Sequence, residues 1–142
     1  MKKTTSELIK LMNDCHDYKT YLNENKDDIQ QEHMKINRAL SMIVAEKKLK
    51  KSEVIAKSGI ENHYAYQIFS GTKNPTRDKV IMLCFGMELS EEETQQLLKI
   101  TGYAQLYGKE ERDNIFIFGL KKHMNIIDVN SILYEMNLEL LS

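Results

Sequence analysis

Apolar positions recur at helical intervals along most of this chain. Over residues 5–25, Leu8, Ile9, Leu11, Met12, Cys15, Tyr18 and Leu22 keep mainly helical spacing. That predicts one helix, or two short ones broken between Asn13 and His16. Asn23 to Asp28 is polar and charged and reads as a linker. From His33 the pattern sharpens: Ile36, Leu40, Ile43 and Val44 give one buried stripe on a helix that runs to about Lys47. A short helix from Ser52 to Ser58 buries Val54 and Ile55, and Gly59-Ile60-Glu61 makes a tight turn. A third helix covers Asn62 to Ser70, with Gly71 placed for a left-handed C-terminal cap. Thr72 to Thr76 is a loop, and Arg77 to Phe85 is a fourth helix. Ser90 and Glu93 form a capping box that opens a fifth, whose acidic first turn suits the helix dipole. Two more helices fit residues 110–122 and 126–136. The first contains Asn114-Ile115-Phe116-Ile117-Phe118-Gly119-Leu120, rich enough in β-branched and aromatic residues to be locally strand-like. A lone strand has no partner, so a helix is predicted there.

Composition points to the same class. The 142 residues include only one proline and six glycines, and 42% are hydrophobic, enough for a substantial core. The expected fold is all-α, a compact helical domain with a five-helix core and additional N- and C-terminal helices. Its expected divisions are an N-terminal helical extension (1–32), a central domain (33–102) and a C-terminal helical extension (103–142). No run of 18 or more apolar residues occurs, so no membrane span is expected. The basic start, Met1 to Ser6, leads into polar residues rather than an apolar signal core, and a cytoplasmic location is expected.

Chemistry-bearing residues are sparse. Cys15 and Cys84 are far apart and read as two reduced thiols. Among His16, His33, His63 and His123, only His16 adjoins a cysteine, and neighbouring residues on a helix face different ways. No HExxH, GxSxG or phosphate-cradling glycine loop is present. The chain is therefore expected to be no enzyme and to use no metal or cofactor.

The formal charge of −1 conceals a strong segregation. Residues 1–34 carry five Lys/Arg against seven Asp/Glu, and residues 80–142 carry five against ten. Residues 35–79 carry ten against four, a net of +6. A basic excess confined to one segment is the pattern of a phosphate-facing surface, or of a solvated face with no partner.

The same segment carries a specific constellation. Two short helices flank Gly59, and Val54, Ile55, Ile60, Ala65, Ile68 and Phe69 supply apolar positions that lock the second helix onto the first. Lys57-Ser58-Gly59-Ile60 at the turn, Ile68-Phe69-Ser70-Gly71 after it, then Lys73 and Pro75, resemble the Xre/Cro-like helix-turn-helix family, which includes phage repressors. Leu83 and Gly86-Met87-Glu88-Leu89-Ser90 are similar to the start of that family's last helix pair. The resemblance covers residues 33–90. It implies a repressor-like five-helix core in which the helix over 62–70 enters the major groove of double-stranded DNA. The chain departs from the family in having Lys50 where a Ser or Thr cap is usual, Ile55 where alanine is usual, and no arginine in the recognition helix.

The resemblance makes Asn62, His63, Tyr64 and Gln67 the candidates for base contacts. Asn62 either caps its helix or reads adenine through its amide, and Gln67 has the same bidentate capacity. Tyr64 is expected to reach a thymine methyl or a phosphate, while Tyr66 packs in part. Tyr66 and Ser70 join Lys51, Lys73 and Arg77 as candidates for phosphate contacts, which position rather than specify. The apolar C-terminal region is expected to fold onto this core, extend it, or form a homodimer interface. Two functional readings follow: a transcriptional regulator binding duplex DNA, or a protein-interaction module that reuses the fold and takes a protein partner.

Overall fold

The computed structural model describes residues 3–24 and 33–142. Among them are nine α-helices and no strand, so the fold is all-α and the aromatic stretch at 114–120 is helical. No described helix is long and apolar enough to cross a membrane. The chain divides into two compact units between His33 and Met34.

In the N-terminal unit, α1 (Thr5–Asp14) is capped by Thr4, whose hydroxyl accepts from the Glu7 amide at 3.2 Å. Cys15 turns extended and ends it. The Asp17 carboxylate then accepts from both the Thr20 amide and hydroxyl at 3.1 Å, opening α2 (Tyr18–Glu24). The break falls where polar residues interrupt the apolar stripe. Asn23 and Glu24 still belong to α2, and the rest of the predicted linker lies outside the described residues.

The second unit runs through α3 (Ile36–Glu46), α4 (Lys51–Ser58), α5 (Asn62–Ser70), α6 (Arg77–Gly86), α7 (Glu91–Ile100), α8 (Glu111–Lys121) and α9 (Ile126–Glu135). Its centre is α6, where Val80 to Gly86 are all buried. A helix apolar on every side belongs inside a core rather than on its surface. The close approaches around α6 are made at glycines. A Cβ at Gly86 would stand 2.5 Å from the Val54 carbonyl oxygen of α4. One at Gly119 of α8 would meet Val129 at 2.8 Å and the Phe85 ring at 3.2 Å.

The expected boundary between 102 and 103 is not a division of this fold. Leu106, Phe116, Leu120, Val129, Leu133 and Leu141 share one core with Leu40, Ile55 and Ile68, and Met34–Ser142 is a single compact unit. Two reciprocal ion pairs reinforce the union. Arg77 forks onto Asp113 at 2.8 and 2.9 Å, and Arg112 forks onto Asp78 at the same distances. The N-terminal Arg-Asp dipeptides of α6 and α8 thus grip each other. The chain end is tied as well, since the Asn130 amide exchanges hydrogen bonds with the Leu141 backbone at 2.8 and 2.9 Å.

Helices α3, α6, α7, α8 and α9 end alike. Lys48, Glu88, Gly102, His123 and Asn137 each take positive φ. The next residue is apolar or aromatic and donates its amide back to the helix, as in Leu49 to Val44 and Leu89 to Cys84. This is the Schellman closure. The predicted capping box of α7 is present: Ser90 Oγ accepts from Glu93 N at 3.1 Å and Glu93 accepts from Ser90 N at 2.9 Å. Lys47 adds an ion pair to Glu93 at 2.6 Å, and it is the main cause holding that carboxyl below its ordinary value.

Candidate nucleic-acid interface

The turn between α4 and α5 is built by Ser58 and Gly59. Ser58 is buried; its hydroxyl donates to the Ile55 carbonyl at 2.7 Å and accepts from the Ile60 amide at 3.2 Å. Gly59 has φ +76°, a left-handed conformation that a side chain would strain. The turn delivers α5 with Ala65, Ile68 and Phe69 facing the core. At about 100° per residue, Asn62, Tyr66, Ser70, His63 and Gln67 then share one arc of about 140° on the opposite side. All but Gln67, which is half-buried, are exposed. The Asn62, His63 and Gln67 side chains make no hydrogen bond within the described residues, so their polar atoms are available to a partner.

The structure bears on the expectations for Asn62, Tyr64, Tyr66, Arg77 and Ser70. Asn62 does not cap α5; Glu61 does, accepting from the amides of His63 at 3.0 Å and Tyr64 at 2.8 Å. Those two bonds hold its carboxyl below the usual value, Tyr64's contributing most. The longer Glu side chain reaches both amides, and the cap shifts one residue earlier than an Asn cap would place it. The exposures of the two tyrosines are the reverse of those expected. Tyr64 lies on the shoulder of α5 against the core, with Lys79 Nζ 5.3 Å from its ring centre, whereas Tyr66 is 41% exposed in the middle of the outer arc.

Arg77 is engaged within the unit. Its guanidinium binds Asp113 and donates to the carbonyls of Ala104 at 2.9 Å and Gln105 at 3.0 Å. Ser70 is on the outer arc, but its hydroxyl closes the helix end, donating to the Gln67 carbonyl at 3.1 Å and pairing with Thr72 Oγ1 at 2.9 Å. The Arg77 partnership was not visible in the sequence, because Asp113 lies 36 residues from Arg77.

Lys51 and Lys73 remain as expected candidates. Lys51 opens α4 and places its Nζ 5.1 Å over the Phe69 ring, beside the C-terminal end of α5. Lys73 is exposed in the loop after Gly71, and its amide donates to the Gln67 carbonyl at 3.1 Å. That loop is anchored by buried Pro75, whose carbonyl accepts from the Tyr103 hydroxyl at 2.6 Å. Burial, with a smaller contribution from Tyr64, raises the Tyr103 hydroxyl's pKa. The N-terminal turn of α3 closes the same end: a Cβ on Gly71 would lie 2.9 Å from Asn37 Nδ2.

Ion pairing redistributes the basic excess of residues 35–79. Lys47, Lys57 and Arg77 are neutralised by Glu93, Glu88 and Asp113. Lys35, Arg38, Lys48, Lys50, Lys51 and Lys73 are exposed and have no carboxylate partner among the described residues. Sequence reasoning named only Lys51 and Lys73 of these. It also missed Glu61, which the structure sets at the N-terminus of α5. No family model, curated protein or solved structure matches this chain.

Proposed function

We infer that the second unit binds duplex DNA as a helix-turn-helix module of the Xre/Cro-like kind, with α5 in the major groove, and that the protein regulates transcription. The observation that carries this reading is the outer arc of α5. Asn62, His63 and Gln67 present unengaged donors and acceptors from one rigid, core-anchored helix, which is what base-edge readout needs. Unpaired cations at Lys51 and Lys73 lie at its C-terminal end, where they would meet the sugar-phosphate backbone.

The test is selection of bound fragments from random duplex DNA, followed by titration of the winner across salt concentrations. A shared motif whose affinity falls steeply with salt is the expected outcome, with a slope of about −0.9 for each phosphate neutralised. A two-fold repeat in the motif would add a homodimer to the reading. A second reading, a protein-interaction module, is favoured by Glu61: an ionised carboxylate at the N-terminus of α5 repels phosphate, and exposed Tyr66 suits a protein contact. Absence of enrichment, with weak and salt-insensitive DNA binding, would move the conclusion to that reading.

A further inference from the structure

A cavity of about 500 Å³ opens where the C-terminal end of α4, the turn between α6 and α7, and the turn between α8 and α9 converge. Its size is that of a site for a metabolite-sized molecule. Phe85, Leu89, Leu120 and Met124 line it with apolar surface, and the first three are held in the core at 5% exposure or less. Such a preformed apolar wall favours an apolar ligand body, because seating it removes hydrocarbon surface from water without reordering the protein.

The polar lining includes Lys57, Glu88, His123 and Asp128. Lys57 Nζ is held by Glu88 Oε1 at 3.1 Å, so these two largely cancel. Asp128 is exposed in the first turn of α9 and has no ion-pair partner among the described residues. Its backbone amide is fixed by Asn125 Oδ1 at 2.8 Å, and of the two acids lining the cavity only Glu88 is paired, with Lys57. We propose that this cavity is a binding site for a small organic ammonium, with its apolar body on Phe85, Leu89, Leu120 and Met124 and its cationic nitrogen paired with Asp128. The site borders the α4–α5 turn. A Cβ at Gly59 would lie 3.6 Å from Ile126 Cγ2, so the helix that carries Asp128 begins directly against the α4–α5 turn.

The experiment is calorimetric titration of the full chain, without DNA, using three probes of matched shape: phenethylammonium, 2-phenylethanol and 3-phenylpropionate. The expected result is one saturable site for the ammonium with Kd below about 1 mM. The neutral alcohol should bind about fivefold more weakly and the carboxylate not measurably. Asp128→Asn, at an exposed position, should bring the ammonium down to the affinity of the alcohol. Met124→Trp should fill the cavity and abolish binding of both; if that variant fails to fold, the probe series and Asp128→Asn decide alone. No saturable binding, equal binding of ammonium and alcohol, or unchanged ammonium affinity in Asp128→Asn would each overturn the proposal. Because no DNA is present, failure here is separate from failure of the DNA-binding reading.

Discussion

On the DNA-binding reading, Gln67 and Lys73 meet the same partner with different chemistry and separate cleanly. A side-chain amide can pair bidentately with one base, so Gln67→Ala should weaken the selected site by about 1–3 kcal/mol and leave nonspecific DNA nearly unchanged. Lys73→Ala should weaken all sequences alike and reduce the salt slope by about one unit. Filter-binding titrations on both DNAs distinguish these outcomes, and equal loss on every sequence would remove Gln67 from base readout. Glu61 gives the opposite sign. Its ionised carboxylate stands at the N-terminus of α5, so Glu61→Gln should tighten DNA binding about two- to fivefold on all sequences, most at low salt. If the residue instead served a protein partner, the substitution would leave DNA affinity unchanged. At this scale the candidate site was half legible. The outer arc follows from helical period alone, which places Asn62, Tyr66 and Ser70 on one line. The same period puts Tyr64 beside Ala65 and Ile68, yet a half-apolar side chain such as tyrosine suits either face, and only packing decides.

Helix ends divide into those a sequence announces and those it does not. Ser90 with Glu93, and Gly71 after α5, are recognisable because each residue type has a local reason to be there. Lys48, Glu88 and His123 adopt φ near +55° with no such signal, because the following Leu49, Leu89 and Met124 are drawn to the core and close each helix behind them. Left-handed backbone costs about 1–2 kcal/mol for a residue with a Cβ, and glycine avoids that cost while losing more entropy on folding. Lys48→Gly should therefore stabilise the protein by about 0.5–1 kcal/mol in denaturant unfolding, since Lys48 has no ion-pair partner to lose. Destabilisation would mean that the Schellman geometry at α3 carries no strain. Gly86 behaves in the reverse way. Alanine in a helix is ordinarily favoured over glycine by about 1 kcal/mol. At Gly86 its Cβ would meet the Val54 carbonyl at 2.5 Å, a backbone atom that cannot rotate away. Gly86→Ala should lower stability by about 2 kcal/mol or more. In the sequence that glycine simply follows the predicted helix over Arg77 to Phe85; its role as the crossing point of α4 and α6 belongs to the packing.

At the level of the whole second unit, its all-α class could be read from the periodicity, but its extent could not. Part of the charge asymmetry between residues 35–79 and 80–142 is internal pairing: Arg77 with Asp113, Lys57 with Glu88 and Lys47 with Glu93 each join a basic to an acidic segment. The Arg77–Asp113 pair has a consequence for acid stability. Burial alone would raise the Asp113 carboxyl, but the Arg77 guanidinium, helped by the Tyr107 amide, brings it below its ordinary 3.8. A carboxyl depressed in the folded state contributes stability that is present above its unfolded pKa and is lost as pH falls through the folded value. Asp113→Asn should therefore cost about 2 kcal/mol near neutrality. That is less than breaking a fully buried pair, because the Arg77 side chain keeps 27% exposure and two carbonyl acceptors. Below about pH 4 the difference from the parent protein should shrink, since protonation converts Asp113 into a neutral group much like asparagine. Denaturant midpoints measured from pH 7 down to pH 3 test both halves. A gap that stays constant with pH would mean that the loss comes from packing around Asp113 and not from its charge, and the grip between α6 and α8 would then be steric.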